Sequence, residues 1–349
     1  MNREFRIMML GVGNGFVKST YHNNALLEVE GHRFLIDCGA LAWHSLYELG
    51  LGFEDIDGIF ITHLHYDHCG GLDEAALYGA YAAGRKMKLW LPALLQPILW
   101  EQHLRGTLEN AADGKTSLAD YFDIQTVEEG DPFWLTASSG VGVAGVVGEV
   151  SDASSASSAS SASSPGDADG TGGASATNAT NATNATNATN GAGVADADGT
   201  GGASATNTTN TTNTTNGAGV VNSAGGDDGS FGAVADRPLL PMYWIQTHHV
   251  PSKFSCSLVI DNRFFYSADM VADADLVSRL HQQGITNFYH DCCFDSSPVH
   301  ASFEALCQYP AAIRQHTYLM HYGKAPKGLE EKGLCGMRLL RQHEWHLWS

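Results

Sequence analysis

The sequence has 349 residues and a formal net charge of −19, and its two parts differ sharply in composition. Residues 138–236 consist mostly of Ala, Ser, Gly, Thr, Asn and Asp, with nine acidic residues, no Lys or Arg, and Phe231 as the one aromatic residue. Such a segment cannot bury enough apolar surface to offset the entropy of ordering it. We therefore expect a single folded domain, formed by residues 1–137 and 237–349, with a low-complexity disordered insertion at 138–236.

The charge of the remaining sequence is −10, because the insertion contributes nine of the excess acidic residues. Proteins that bind long nucleic acids or anionic membranes usually show the opposite balance, since Lys and Arg neutralise the phosphates. A small phosphate ester is still compatible with this charge. The seven cysteines have no framework spacing, the N-terminal MNREFRIMML carries charges where a signal peptide needs an apolar run, and no 18-residue apolar stretch occurs. We expect a soluble chain in the reducing cytoplasm.

Outside the insertion, strand and helix patterns alternate. An apolar run at 5–10 predicts a strand, and ALLEVEGHRFLIDCG alternates around Gly31 as a hairpin does. Helices are predicted for HSLYELGLG, for LDEAALYGAYAAG, which ends at Gly84, and for residues 94–109. Strands are predicted for IDGIFITHLH, which is buried, and for MKLWLPALL, which contains an edge proline. Later, MYWIQTHH, SCSLVIDNRFFYSAD, NFYHDC and HTYLMHYG predict strands, with DADLVSRLHQQG and HASFEALCQ as helices. This order suits a four-layer αββα sandwich, although propensity alone does not separate it from other α/β sheets.

Four potential metal ligands lie within six residues of THLHYDHCGG, where a buried strand is expected to end. They are His63, His65, Asp67 and His68. A loop after a buried strand can aim such side chains at one point, and imidazole with carboxylate suits zinc, manganese or iron. A lone histidine would more often be an ordinary surface or core residue. Four ligands together, closed by DHxGG, favour a metal site.

The pattern THxHxDHxGG resembles the signature of the metallo-β-lactamase superfamily, whose fold is the αββα sandwich. Later segments resemble its ribonuclease Z-like branch. THHVPSKFSCSLVI resembles the strand and Pro-Ser turn that carry a third histidine, placed by the pattern at His248; strand alternation would point the alternative, His249, to the opposite face. FFYSADM resembles the strand that ends in a bridging aspartate, Asp269, and TYLMHYG resembles the strand that carries the last ligand, His321.

This resemblance implies two divalent metal ions, with zinc as the first expectation and manganese as the second. The ligands would be His63, His65 and His248 for one ion and Asp67, His68 and His321 for the other, with Asp269 bridging both. Two such ions suit the hydrolysis of a phosphodiester. By the same resemblance Asp67 also orients the attacking water.

The segment HDCCFDSSPVHASFEAL resembles a family segment that lies near the metals. The resemblance makes His300 the general acid; the alternative is a polar residue at a helix N-terminus. His290 and Asp291 resemble a pair that orients the ligands.

Three relatives within the superfamily fit the sequence poorly. Members that hydrolyse β-lactams usually carry Cys where Asp269 stands, and flavodiiron members replace the histidine at position 65 by glutamate. Transfer-RNA-processing members carry an arm between the third histidine and the bridging aspartate. The interval of 21 positions from His248 to Asp269 leaves no room for that arm.

The chain resembles the anti-Pycsar cyclic nucleotide phosphodiesterases of phages and bacteria, which degrade cyclic CMP and cyclic UMP defence signals. The resemblance is carried in one order by GVGNGFVKSTYHNNALL, LIDCG, FITHLHYDHCGGLDE, LWEQHLRGTLEN, DYFDI, FFYSADM, HDC and LMHYG. It implies a cyclic nucleotide substrate and a homodimer, for which Ile98, Leu99 and Trp100 are a candidate surface unless they are core residues. The alternatives are an RNA-processing endonuclease, another cyclic phosphate esterase, or a catalytically silent binding module on the same fold.

Overall fold

The structure is a computed structural model that describes residues 3–137, 236–295, 297–329 and 333–349. All of these residues belong to one compact unit. The expected insertion lies outside the described residues except for Asp236, so its predicted disorder stays a prediction. No helix in the described part of the chain is long and apolar enough to cross a membrane.

The first of two seven-stranded sheets has the strand order β14-β1-β2-β3-β4-β5-β6. Its strands are β1 (Phe5–Met9), β2 (Ala25–Val29), β3 (His32–Ile36), β4 (Gly58–Phe60), β5 (Met87–Pro92), β6 (Phe122–Val127) and β14 (Trp345–Trp348). Strands β14, β1, β2 and β3 pair antiparallel, and β3 to β6 pair parallel. The hairpin between β2 and β3 turns at Glu30 (φ 49°) and Gly31 (φ 83°), and two positive φ values suit the twist of a two-residue hairpin.

The second sheet has the order β13-β12-β11-β10-β9-β8-β7. Its strands are β7 (Phe133–Ala137), β8 (Arg237–Thr247), β9 (Ser255–Ile260), β10 (Phe264–Tyr266), β11 (Asn287–Asp291), β12 (Thr317–Met320) and β13 (Arg338–Leu339). Strands β7 to β10 pair antiparallel and β10 to β13 parallel. Each sheet therefore joins an antiparallel part to a parallel one, as the predicted hairpins at the start of each half require.

Helices cover the outer faces of both sheets. They are α1 (Ala42–Glu48), α2 (Tyr66–Cys69), α3 (Leu72–Leu77), α4 (Leu95–Leu99), α5 (Arg105–Leu108), α6 (Ala274–Gln282), α7 (Phe303–Leu306) and α8 (Ala311–Arg314). A wider π turn, Tyr78–Ala83, extends α3 to Gly84, and another, Trp100–Leu104, joins α4 to α5. Helix α6 begins where the Asp273 carboxylate accepts a hydrogen bond from the Leu276 N–H at 2.8 Å, which satisfies a backbone donor of the first turn.

Side-chain alternation along β1 divides the apolar residues between two cores. Ile7 and Met9 point into the core between the two sheets, whereas Met8 and Leu10 pack in a second core beneath α1, α3 and α4. Successive side chains of a strand face opposite sides, so a strand covered on both faces is apolar throughout. Helix α6 covers the other sheet through residues such as Val277. The layers are helix, sheet, sheet and helix, which confirms the predicted αββα sandwich.

Two sequence predictions about local structure were wrong, and one covalent link was not foreseen. Strand β5 lies between β4 and β6, so Pro92 ends an internal strand and does not mark an edge. Leu99 and Trp100 are buried in the core beneath the helices, so the proposed dimer surface is mostly core. Cys307 and Cys335, 28 residues apart in sequence, form a disulfide with a Cα–Cα distance of 5.6 Å, because the fold brings them together where their spacing gave no signal.

The ends of the insertion leave the sheet side by side. Strands β7 and β8 pair antiparallel with Ala137 opposite Arg237, and paired residues of an antiparallel ladder have Cα atoms about 5 Å apart. The buried Lys88 of β5 ties this stem to the first sheet, because its ammonium donates to the Thr136 hydroxyl at 3.0 Å and contacts the Asp236 carboxylate. The fold therefore needs only a turn at this point.

Replacing residues 138–235 by a short glycine-containing turn should preserve the fold and raise the free energy of unfolding by about 2 kcal/mol. The reason is that loop closure costs about 0.6 kcal/mol for each doubling of loop length, and Asp236 is kept for Lys88. Urea unfolding followed by circular dichroism measures the change, and Lys88→Met in the shortened chain serves as the destabilised control. A loss of more than 2 kcal/mol on shortening would show that the segment is part of the folded structure.

Candidate metal centre

The predicted ligands lie where strands of both sheets end. His63 and His65 follow β4, while Asp67 and His68 belong to α2, the next turn of chain. Asp269 lies three residues after β10, and His321 directly after β12. Carboxyl ends of parallel strands meet at one edge of a sheet, which is the usual place for a site in this class of fold.

The backbone at this edge adopts conformations that ordinary residues avoid. Positive φ values occur at Asp37 (φ 65°), Ala268 (φ 49°) and His321 (φ 56°). At a residue other than glycine, such a conformation costs of order 1–3 kcal/mol of folding free energy. Three of them beside one cluster of side chains mean that the fold holds these residues against a local preference. Strain of this kind is concentrated at functional sites.

The first group of ligand atoms contains three imidazoles. His65 Nδ1 lies 3.1 Å from His63 Nε2 and 3.2 Å from His249 Nε2. Asp269 Oδ2 lies 3.8 Å from His63 Nε2 and 3.7 Å from His249 Nε2. Each residue offers one atom, and these four atoms lie within 4.8 Å of one another.

The second group shares Asp269 with the first. His68 Nε2 lies 3.2 Å from Asp269 Oδ1, and His321 Nε2 lies 3.3 Å from Asp269 Oδ2. Asp67 Oδ2 completes the group at 3.4 Å from His321 Nε2 and 3.6 Å from His68 Nε2. The two groups therefore meet at one carboxylate, each of whose oxygens faces imidazole nitrogens.

Hydrogen bonds fix which ring nitrogen of each histidine faces the centre. His63 Nδ1 lies 3.0 Å from the Thr62 hydroxyl, and His249 Nδ1 lies 2.7 Å from the Val299 carbonyl, which can only accept. His68 Nδ1 lies 2.7 Å from an Asp37 carboxylate oxygen. A partner on one ring nitrogen sets the tautomer and leaves the other nitrogen with its lone pair, as metal-binding histidines require.

The electrostatics differ between the two groups. Burial, and then the neighbouring His249, lower the pKa of His65 to about 4, and burial holds the pKa of His63 well below its usual value, so both imidazoles are neutral. Burial also works against a charge on His321, but Asp269, Asp291 and Asp67 outweigh it and raise its pKa to about 10. The second group therefore concentrates negative charge that favours a cation.

The spacing fits metal ions better than it fits hydrogen bonds among the side chains alone. Nitrogens bound at about 2.0–2.1 Å to one tetrahedral zinc ion lie about 3.3 Å apart, and the distances in both groups are close to that value. Among the described residues, His68 Nε2 and Asp269 Oδ1 are buried and have no hydrogen-bond partner of acceptable geometry although they are only 3.2 Å apart. Buried polar atoms without partners are rare unless an ion or water satisfies them.

The third imidazole of the first group is His249, and the structure places the predicted ligand His248 outside that group. Thr247 and His249 are buried and His248 is exposed, so the side chain of His248 points away from the cluster. The apolar residues Met242 and Trp244 predict that even-numbered positions face inward. The burial pattern changes phase at Gln246, which is exposed, and nothing in the sequence marks that change.

His300 lies beside the cluster, as predicted. Its Nδ1 is 2.8 Å from Asp291 Oδ2, and its ring centre is 4.8 Å from that of His321 and 4.7 Å from that of His249. The side chain is 21% exposed, so the ring borders the opening of the site. Asp291 also accepts from the Met270 N–H at 3.1 Å and lies 3.4 Å from His321 Nδ1, so it positions both histidines.

His290 has a structural role and does not contact the cluster. Its Nδ1 donates to the Asp291 carbonyl at 2.8 Å, and its Nε2 lies 3.2 Å from the Tyr309 hydroxyl. It is fully buried and affects the ligands only indirectly, because it holds the strand end that carries Asp291. In the predicted supporting pair, Asp291 contacts the ligand histidine and His290 supports Asp291.

Asp37, which follows β3 in LIDCG, is a further residue of the site that was not predicted. Its carboxylate accepts from the Thr62 N–H and hydroxyl at 2.9 and 3.0 Å and holds His68. An acidic residue at the end of an apolar strand is the available signal, because a fully buried carboxylate needs partners.

Two glycines fit closely around Asp67: a Cβ at Gly15 would lie 3.2 Å from its carboxylate, and one at Gly39 only 2.0 Å from its carbonyl oxygen.

Two mixed sheets between helices, with a His/Asp cluster where the strands end, define a protein of the metallo-β-lactamase fold. The solved metallo-β-lactamase fold protein YhfI from Bacillus subtilis matches 99% of this chain and 99% of its own, at 10% identity and a TM-score of 0.53. The family model for anti-Pycsar protein Apyc1 matches residues 5–144 and 237–346. The chain belongs to that family.

Relatives of the same name extend the match at the level of sequence. Anti-Pycsar protein Apyc1 of Paenibacillus harenae is 29% identical over 318 residues, which are 91% of this chain and 89% of that protein. The protein of that name from Paenibacillus xerothermodurans is 49% identical over 124 residues, 36% of this chain and 50% of that protein. The second match spans half of the relative's length, whereas the first spans most of both chains.

Proposed function

We propose that this protein is a metal-dependent phosphodiesterase that hydrolyses 3′,5′-cyclic nucleotides to linear nucleoside monophosphates. The observation that carries the proposal is the meeting of two ligand groups at Asp269. The family name of its relatives adds the substrate class, since an anti-Pycsar protein acts against cyclic nucleotide signals. By removing cyclic CMP and cyclic UMP, with cyclic AMP and cyclic GMP as further substrates, the protein would counter or regulate Pycsar-type defence signalling.

We expect two divalent ions at this site, with zinc before manganese. One ion would be held by His63, His65 and His249. The other would be held by Asp67, His68 and His321, and Asp269 belongs to both groups of ligands. Ions held there would lower the pKa of a bound water and offset the charge of a diester phosphate. The residues around them supply orientation and proton transfer.

Asp67 is suited to orient the attacking water. Burial raises the pKa of its carboxyl, but His68 and His321 more than offset that effect and hold the pKa below its usual value, so the carboxylate is ionised. An ionised carboxylate accepts hydrogen bonds only. It can therefore accept a hydrogen bond from the water, direct the oxygen lone pair towards phosphorus, and take up the proton that the water loses as its oxygen bonds to phosphorus.

His300 is suited to protonate the leaving oxygen. With Nδ1–H donated to Asp291, its Nε2 is the nitrogen that carries the transferable proton. As water oxygen bonds to phosphorus, the bond from phosphorus to the ribose oxygen breaks and that oxygen takes the proton from His300 Nε2. The ring opens, and the product is one linear monophosphate.

A panel of cyclic nucleotides tests the proposal. Purified protein with zinc or manganese should convert cyclic CMP and cyclic UMP to monophosphates, as followed by chromatography, and should leave a structured RNA intact. Cleavage of the RNA without opening of any cyclic mononucleotide would favour the RNA-processing endonuclease. Hydrolysis confined to other cyclic phosphates would favour another esterase, and full-length protein that binds no metal would favour the silent binding module.

A homodimer in the cytoplasm completes the proposal. Leu99 and Trp100 are buried in the core, so most of the candidate dimer surface is not available to a partner. The dimer itself stays a prediction.

A further inference from the structure

A cavity of about 470 Å³ opens beside the first ligand group. Its lining residues include His63 and His65, which would contact a metal, and continue to α4 and to the segment before β9. Ligand sites of proteins have volumes of about 300–1,000 Å³ and combine apolar walls with a few polar groups. A diester phosphate at the metals would therefore have this cavity next to it for the rest of the molecule.

One wall of the cavity is apolar. Leu95, Ile98 and Gln102 stand at positions i, i+3 and i+7 and so share one face of the helix formed by α4 and the π turn. Phe254 forms the opposite side, where an edge contact to Trp244 at 5.4 Å between ring centres holds it in place. Flat apolar walls of this kind suit the faces of a nucleobase.

The polar groups on this wall are the His103 ring, whose Nε2 lies 3.6 Å from Cys69 Sγ, and the Gln102 amide. Within the described residues the Gln102 side chain makes no hydrogen bond, and the residue is exposed. It lies in the π turn Trp100–Leu104. Such turns are rare inside α-helices, and those that occur are often found at functional sites. The amide can donate from nitrogen and accept at oxygen, so it can pair with either an amino group or a carbonyl of a base.

We infer that this cavity binds the ribose and nucleobase of the substrate and that Gln102 is the residue that reads the base. The inference rests on the proposed function, because it takes the phosphate to lie at the metals. An amide that can rotate would accept both cytosine, which presents an amino group, and uracil, which presents a carbonyl at the same place. Gln102 is thus a specificity-determining residue that contacts substrate away from the reacting atoms.

The test replaces the amide by a carboxylate that only accepts. Gln102→Glu should raise the ratio of kcat/KM for cyclic CMP to that for cyclic UMP about tenfold, because one well-placed pair of hydrogen bonds discriminates bases by this order. Gln102→Leu should raise KM for both. Bis(p-nitrophenyl) phosphate has no base, so its hydrolysis should not report the pairing that Gln102 makes with a base.

Gln96→Glu is the matched control, since Gln96 lies on the same helix but lines a different depression. It should leave the ratio unchanged. An unchanged ratio in Gln102→Glu, with wild-type KM in Gln102→Leu, would overturn the inference while the proposed function stands. Failure of the wild-type protein to hydrolyse any cyclic nucleotide or the base-free diester would instead overturn the proposed function.

Discussion

Replacing Asp269 by Ala should release at least one metal ion per chain and lower kcat/KM for cyclic nucleotides by about 10²–10³-fold or more. Asp269 is the one residue common to both ligand groups, with oxygens 3.2 Å from His68 Nε2 and 3.3 Å from His321 Nε2. Loss of a single preorganised electrostatic group typically costs 10²–10³-fold in rate, and loss of an ion adds to that. Metal analysis of the purified variant and initial rates measure the two effects.

Two adjacent histidines supply a matched control for this experiment. His249→Ala should also lose metal, because its Nε2 belongs to the first group, whereas His248→Ala should keep both ions and wild-type turnover because the His248 side chain is exposed. Wild-type metal content in Asp269→Ala would refute the shared carboxylate. Metal loss in His248→Ala but not in His249→Ala would restore the assignment made from sequence.

The sequence predicted the alternation of strands and helices because burial imposes a period. Apolar runs such as β1 and β9 are covered on both faces, and their order along the chain indicates an α/β fold. The resemblance of THxHxDHxGG to the superfamily signature then selected the αββα sandwich among such folds. The short or half-exposed strands β6, β7 and β14 were not predicted. Their side chains carry too little alternation to distinguish a strand from a loop.

The site was predictable where its residues are close in sequence and unpredictable where the backbone departs from regular structure. His63 to His68 crowd into one motif, and Asp269 and His321 follow recognisable strands. The choice between His248 and His249 depended on a change of phase at Gln246 that only tertiary packing determines. The partners that hold the ligands also come from distant segments: Asp37 lies 31 residues before His68.

His300→Ala should lower turnover of cyclic CMP by about 10²–10⁴-fold, the usual contribution of a general acid, with metal content unchanged. The structure supports this division of roles because His300 contacts Asp291 at 2.8 Å, whereas its nearest distance to Asp269 is 4.0 Å. Rates over a range of pH, together with metal analysis, measure the effect.

A leaving group that needs no proton separates the chemical role of His300 from a structural one. Bis(p-nitrophenyl) phosphate releases p-nitrophenolate, which is stable as an anion, so His300→Ala should hydrolyse it at a rate close to that of wild type while cyclic CMP turnover falls. Asp291→Asn should show the same selectivity in weaker form, because it removes the carboxylate oxygen that orients His300, while the remaining amide oxygen can still face His321 Nδ1. An equal loss on both substrates, or a loss of metal, would mean that His300 supports the cluster and does not donate the proton.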